Sequence, residues 1–90
     1  MRLDKYLKIS RIIKRRVVAK ELAEVGAVRL NGKKARPDGE VKKGDRLEIA
    51  FPRKVMVVEV LEADESLLKK RAIPFLLIEE RQVTAAEKPW

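Results

Sequence analysis

Four of the six residues from Arg11 to Arg16 are cationic, Arg11, Lys14, Arg15 and Arg16, relieved only by Ile12 and Ile13. Arg2, Lys5 and Lys8 precede them, and Lys20 follows one helical turn after Arg16. Like charges packed this closely repel, and solubility would be served as well by Lys mixed with Glu. The chemistry such a run offers is the binding of a polyanion. A guanidinium presents a planar fork that grips phosphate oxygens in pairs and stacks on bases, whereas Lys acts as a point charge. Arg2, Arg11, Arg15 and Arg16 are therefore the leading candidates for phosphate contact, with Lys5, Lys8, Lys14 and Lys20 supplying steering charge.

The bland alternative is a solvated helix face, and the distribution of charge argues against it. Residues 1–54 carry 17 Lys/Arg against 7 Asp/Glu, net +10, while the remaining 36 carry 5 against 7, net −2, which together give the +8 of the whole chain. A basic module is followed by a mildly acidic end, so the partner surface belongs to the first half.

Other chemistry is poorly supplied. Cysteine and histidine are both absent, which removes disulfides, thiolate nucleophiles, the commonest zinc ligands and the usual general base near neutral pH. Asp4 stands where a first-turn carboxylate pairs with the helix dipole or a nearby Arg, and no second acid at useful spacing supports acid/base work. Gly44-Asp45 lies among Lys42, Lys43 and Arg46, which reads as turn chemistry and not a metal loop. No catalytic residue, cofactor or metal is expected. The only aromatic residues are Tyr6, Phe51, Phe75 and Trp90, too few for a platform that stacks successive bases, so binding should follow backbone shape. Tyr6 shares its spacing with Leu3 and Leu7, which favours a core position over base stacking.

The elements that position these cations can be read in order. Ninety residues, 46% of them apolar, suffice for one folded domain with a modest core. Leu3, Tyr6 and Leu7 recur at helical spacing, which predicts a first helix from about Arg2 to Ile9, with Ser10 ending it or capping the next. A second helix follows, with Val18, Leu22 and Val25 as its apolar stripe, widened by Ala19, and Gly26 as its left-handed cap. Arg16 and Lys20 then face outward. After Gly26 the period becomes two: Val28 and Leu30 point one way, and Asn31-Gly32 predicts a tight hairpin. Pro37-Asp38-Gly39 forms a loop, Val41 begins a short extended piece, and Lys43-Gly44-Asp45 turns into a strand in which Leu47, Ile49 and Phe51 share a face. Pro52–Lys54 turns again into the β-branched strand VMVVEV. Residues 62–72 are loop or one helical turn. Ile73–Ile78 does not separate strand from helix by period, and Pro74 near its start favours an edge strand. The class is α+β, two N-terminal helices packed on a small, mainly antiparallel sheet. Residues 1–80 form the domain, and 81–90 a flexible tail.

The segments RLDKYL, then Arg16, Ala19, Leu22 and Gly26, then VRLNGKKA and VKKGDRLEI resemble the S4 RNA-binding domain, the αL module, over about residues 1–51. Many members carry Ser or Thr just before the second-helix Arg, where this chain has Arg15, so one phosphate contact differs in kind. The N-terminal stretch MRLDKYLKISRIIKRRVVAKE is similar to the stand-alone RqcP family of bacterial ribosome-associated quality control, related to the heat-shock ribosome-binding Hsp family. The resemblance implies binding to obstructed large ribosomal subunits, contact with an rRNA hairpin and with peptidyl-tRNA, and a partner elongation factor that recruits alanyl-tRNA for C-terminal tailing. Carried over by position, Arg2 and Arg16 would be the main RNA contacts, with Lys5, Arg11 and Arg15 around them. A cytoplasmic monomer is expected, with no membrane association, since no apolar run has the length of a membrane span. The alternative is a general rRNA chaperone or assembly protein on the same fold. A DNA-binding helix-turn-helix is disfavoured because the residues after Gly26 are strand-like and offer no recognition helix.

Overall fold

Leu3, Tyr6 and Leu7 are completely buried, and they lie along one face of the first helix, α1 (Leu3–Ile9), as their spacing requires. Each buried Leu of this kind contributes roughly 1.5–3 kcal/mol. A computed structural model describes residues 1–84. After α1 come α2 (Arg16–Glu24), β1 (Val28–Leu30), β2 (Lys33–Lys34), β3 (Arg46–Phe51), β4 (Lys54–Val60), α3 (Glu65–Lys69) and β5 (Phe75–Gln82). The strands form one sheet in the order β2-β1-β3-β4-β5, and all four neighbouring pairs are antiparallel. Leu47 and Ile49 of β3, Val58 and Val60 of β4 and Val28 of β1 meet the buried side of the two helices. None of the helices among the described residues is long and apolar enough to cross a membrane.

Ser10 ends α1, its hydroxyl donating to the Leu7 carbonyl at 3.2 Å. Arg11 follows at φ 66°, the left-handed position that usually belongs to Gly or Asn after a helix. Gly26 takes the same role after α2 at φ 81°, with the Ala27 amide donating to the Leu22 carbonyl at 2.8 Å. Asn31 (φ 50°) and Gly32 (φ 83°) make the tight turn between β1 and β2, both left-handed as a type I′ hairpin demands. The Asn31 side chain also ties this turn to the start of β3, accepting from the Arg46 amide at 2.9 Å.

The apolar face of α2 differs from the expected one. Ala19 and Ala23 are buried, Leu22 is partly so, and Val18 and Val25 are 40% and 77% exposed. Small residues allow the α2 backbone to lie close against its neighbours, so the stripe that packs is the one with least bulk. Of the expected stripe Ala19 and Leu22 pack inward, while Val18 and Val25 do not and Ala23 takes their place.

The C-terminal part holds two further findings. Within residues 62–72, α3 is a single short helix capped by Asp64, whose carboxylate accepts from the Ser66 amide at 2.9 Å and the Leu67 amide at 3.3 Å. The last strand is indeed at the sheet edge, entered through Pro74, whose carbonyl accepts from the Leu61 amide at 2.9 Å and the Tyr6 hydroxyl at 2.5 Å. β5 runs to Gln82, opposite Lys54, and Val83 beyond it is buried with its amide bonded to the Arg53 carbonyl at 3.0 Å. Strand pairing therefore continues past residue 80. Residues 85–90 of the expected tail lie outside the described residues.

Candidate nucleic-acid interface

Asp4 is 2% exposed, an unusual position for a carboxylate unless it is fully partnered. Its partners are supplied from three places. The Arg2 Nε lies 3.3 Å from Oδ1 and the Arg2 Nη2 3.1 Å from Oδ2. The Arg16 Nη2 lies 3.3 Å from Oδ1, and the Lys5 amide donates to the same oxygen at 2.7 Å. Burial alone would raise the Asp4 pKa. Hydrogen bonds from Arg2 and the Lys5 amide, with the Arg16 and Arg2 charges, outweigh it and hold the carboxyl below its ordinary value, so it is ionised at neutral pH.

This buried anion joins two elements. Arg2 precedes α1 in extended conformation and forms an isolated bridge with Glu40, while Arg16 opens α2. Both guanidiniums keep about half their side-chain surface in solvent, 52% for Arg2 and 46% for Arg16. Each fork spends part of its donors inward on Asp4 and presents the rest outward. That arrangement fixes two guanidiniums in place, so an anion meeting them would not have to order them first.

Between Arg2 and Arg16 on one side and α3 on the other lies a cleft of about 470 Å³, also lined by Lys5, Asp64 and Glu65. Lys5 is ion-paired with Glu65, and Glu65 also meets Lys69 at 3.4 Å. A ligand phosphate at Lys5 therefore competes with a carboxylate already there.

The structure brings Arg2, Lys5 and Arg16 together and spreads the other candidates around them. Lys8 stands exposed in the last turn of α1, and Lys20 is exposed on α2. Lys14 and Arg15 are exposed in the link between the helices. Arg15 occupies the N-cap of α2 with no side-chain capping bond, which a Ser or Thr there would provide. Arg11 lines a different cleft, of about 700 Å³, between the end of α1 and the segment after α3. Tyr6 sits in the core and offers no ring to a base; burial, then the nearby Glu62 charge, pushes its hydroxyl pKa far up. Sequence reasoning offered Asp4 the helix dipole or a nearby Arg and missed that it ties together two arginines. It also missed the acidic wall from α3, since nothing local in ADESLL says what that turn packs against.

Comparison with known proteins follows the same lines. The S4 domain family model matches residues 1–47. An RQC P-site tRNA stabilizing factor of Streptococcus pneumoniae is 51% identical over 72 residues, covering 80% of this chain and 82% of that protein. The Listeria innocua protein of the same name is 48% identical over 83 residues, covering 90% of each, and that of Bacillus subtilis is 46% identical over 72 residues, covering 80% and 84%. A trimeric structure of heat shock protein 15 from Vibrio cholerae superposes with a TM-score of 0.74 at 22% identity, covering 86% of this chain and 80% of that one, which establishes the common fold. The buried Asp4 with its two arginines lies inside the matched region, and on these similarities the chain belongs to the S4 domain family and, within it, to the family of the RQC P-site tRNA stabilizing factors.

Proposed function

We propose that this protein binds obstructed large ribosomal subunits in the bacterial cytoplasm, contacts rRNA and peptidyl-tRNA, and steadies the tRNA in the P site during ribosome-associated quality control. The observation that carries the reading is the pair Arg2 and Arg16 held by one buried carboxylate. The names of relatives 46–51% identical support the tRNA and the quality-control setting. The action is positional, and no bond is made or broken by its side chains. Phosphates of the tRNA meet guanidiniums already oriented by Asp4, Lys5 exchanges Glu65 for a phosphate, and the remaining cations draw the RNA in. By lowering the freedom of the tRNA, the protein favours successive rounds of alanine addition by a partner elongation factor.

Co-sedimentation tests this. The protein should pellet with large subunits that carry peptidyl-tRNA and much less with empty ones, and cells lacking it should make short or no alanine tails on stalled chains. Equal binding to empty subunits together with normal tails in its absence would instead favour a general rRNA chaperone.

A further inference from the structure

The second cleft differs from the first in its charge. Its cationic lining is Arg11, Lys69 and Arg71, with Ser10 and Pro74 among its other walls and no acidic residue among them. Arg11 and Arg71 make no ion pair among the described residues, and Lys69, 69% exposed, reaches Glu65 only at 3.4 Å. Both arginines sit at left-handed backbone positions, φ 66° and 68°, where glycine would be at ease and a long side chain is not. One ends α1 and the other follows α3, so two unrelated chain segments each set an arginine in an unfavourable conformation beside the same opening. Strained positions of this kind concentrate where a side chain has work to do.

We propose that this cleft is a second phosphate-binding site, which takes the backbone of a different RNA segment from the one held at Arg2, Lys5 and Arg16. The inference rests on the reading that the Arg2–Arg16 face binds RNA. The α3 turn stands between the two: Glu65 and Asp64 wall the first cleft, Leu68 and Lys69 the second. Helix α1, seven residues and therefore about 10 Å long, separates Arg2 from Arg11. Two openings on either side of an acidic turn suit two RNA bodies held side by side, since a strand crossing from one to the other would pass the carboxylates of Asp64 and Glu65. Phosphate is the chemistry that three cations and no acid select.

The test is a bridging assay with the full chain. A tRNA is immobilised, the protein is added, and capture of a fluorescent stem-loop too short to span both clefts is measured. The variant is R11G with R71G; glycine suits φ 66° and 68° and so removes both guanidiniums without disturbing either turn. Capture of the stem-loop should fall at least about tenfold, the loss of one charge-assisted contact or more, while affinity for the tRNA alone changes less than about threefold. The salt slope for stem-loop capture should drop by roughly 1.4–1.8, corresponding to two phosphate contacts. Capture equal to wild type overturns the proposal. So does an equal loss of tRNA affinity, which would mean one strand running through both clefts. Failure of the underlying reading looks different: R2A/R16A would then bind tRNA as wild type does.

Discussion

Replacing Asp4 by Asn removes one negative charge from a protein that binds a polyanion, so simple electrostatics predicts tighter RNA binding. The geometry predicts the reverse. Asn keeps an acceptor for the Lys5 amide, now 2.7 Å away, but it turns a second donor toward guanidiniums that can only donate. The Arg2 Nη2 contact at Oδ2 is lost outright, and the Arg2 Nε and Arg16 Nη2 contacts at Oδ1 lose the charge that strengthened them. Hydrogen bonds to charged groups are worth about 1.5–3 kcal/mol when buried, and because both arginines are about half exposed the total is discounted to about 1–3 kcal/mol of stability. For binding, two long side chains must now be ordered by the RNA itself at about 0.5–1.5 kcal/mol each, about 1–3 kcal/mol together, or roughly 5- to 150-fold in affinity. Fluorescence anisotropy with a structured RNA measures this, at several salt concentrations. The affinity should fall while the salt slope stays nearly constant, since no phosphate-contacting cation has been removed. Binding as tight as wild type or tighter would refute the claim that Asp4 positions the arginines.

R2A and R16A should each weaken RNA binding by about 1–3 kcal/mol, and R2A, which strips two contacts from the buried Asp4 carboxylate, should also lower stability, by about 1–3 kcal/mol, more than R16A does; titration and melting curves distinguish the two effects. L7A, which empties a completely buried site in α1, should cost about 2–5 kcal/mol in stability by denaturant unfolding, with binding lost only as the protein unfolds. Y6F removes the hydrogen bond to the Pro74 carbonyl that ties α1 to β5, at a cost of about 1 kcal/mol with RNA affinity unchanged. The pH dependence has a definite sign. Since the folded Asp4 pKa lies below its unfolded value, its contribution is full above about pH 4 and disappears as pH falls through the folded pKa. A wild-type unfolding curve should show that loss in acid, and D4N should lack this part of it.

How much could be read from the chain depends on what each feature rests on. The α1 face, the Gly26 cap, the Asn31-Gly32 hairpin and the β3 pattern are local, set by spacing and by residues that tolerate positive φ, and they stand as expected. The α2 face was legible at Ala19 and Leu22 and misjudged at Val18 and Val25, because apolar count favours the valines while close approach favours Ala23. Of the cations, Arg2, Lys5 and Arg16 converge, whereas Arg11, adjacent in sequence to the cluster, is turned to another opening by its left-handed backbone. Sequence proximity carries no information about that turn unless a glycine marks it. The length of β5 was also hidden, since EERQ has no strand composition and pairs only because β4 extends beside it.

The central claim is that the Arg2–Asp4–Arg16 face lies against RNA on the large subunit. A photo-crosslinking residue placed at Lys5, between the two arginines in sequence and lining the same cleft, addresses it directly in large subunits that carry peptidyl-tRNA, with a second probe at Leu76 on the sheet edge as comparison. Sequencing of the crosslinked RNA should return tRNA or rRNA nucleotides from the position 5 probe and far fewer from position 76. RNA crosslinks of equal yield from both positions, or none from position 5 while the protein remains bound, would contradict the account.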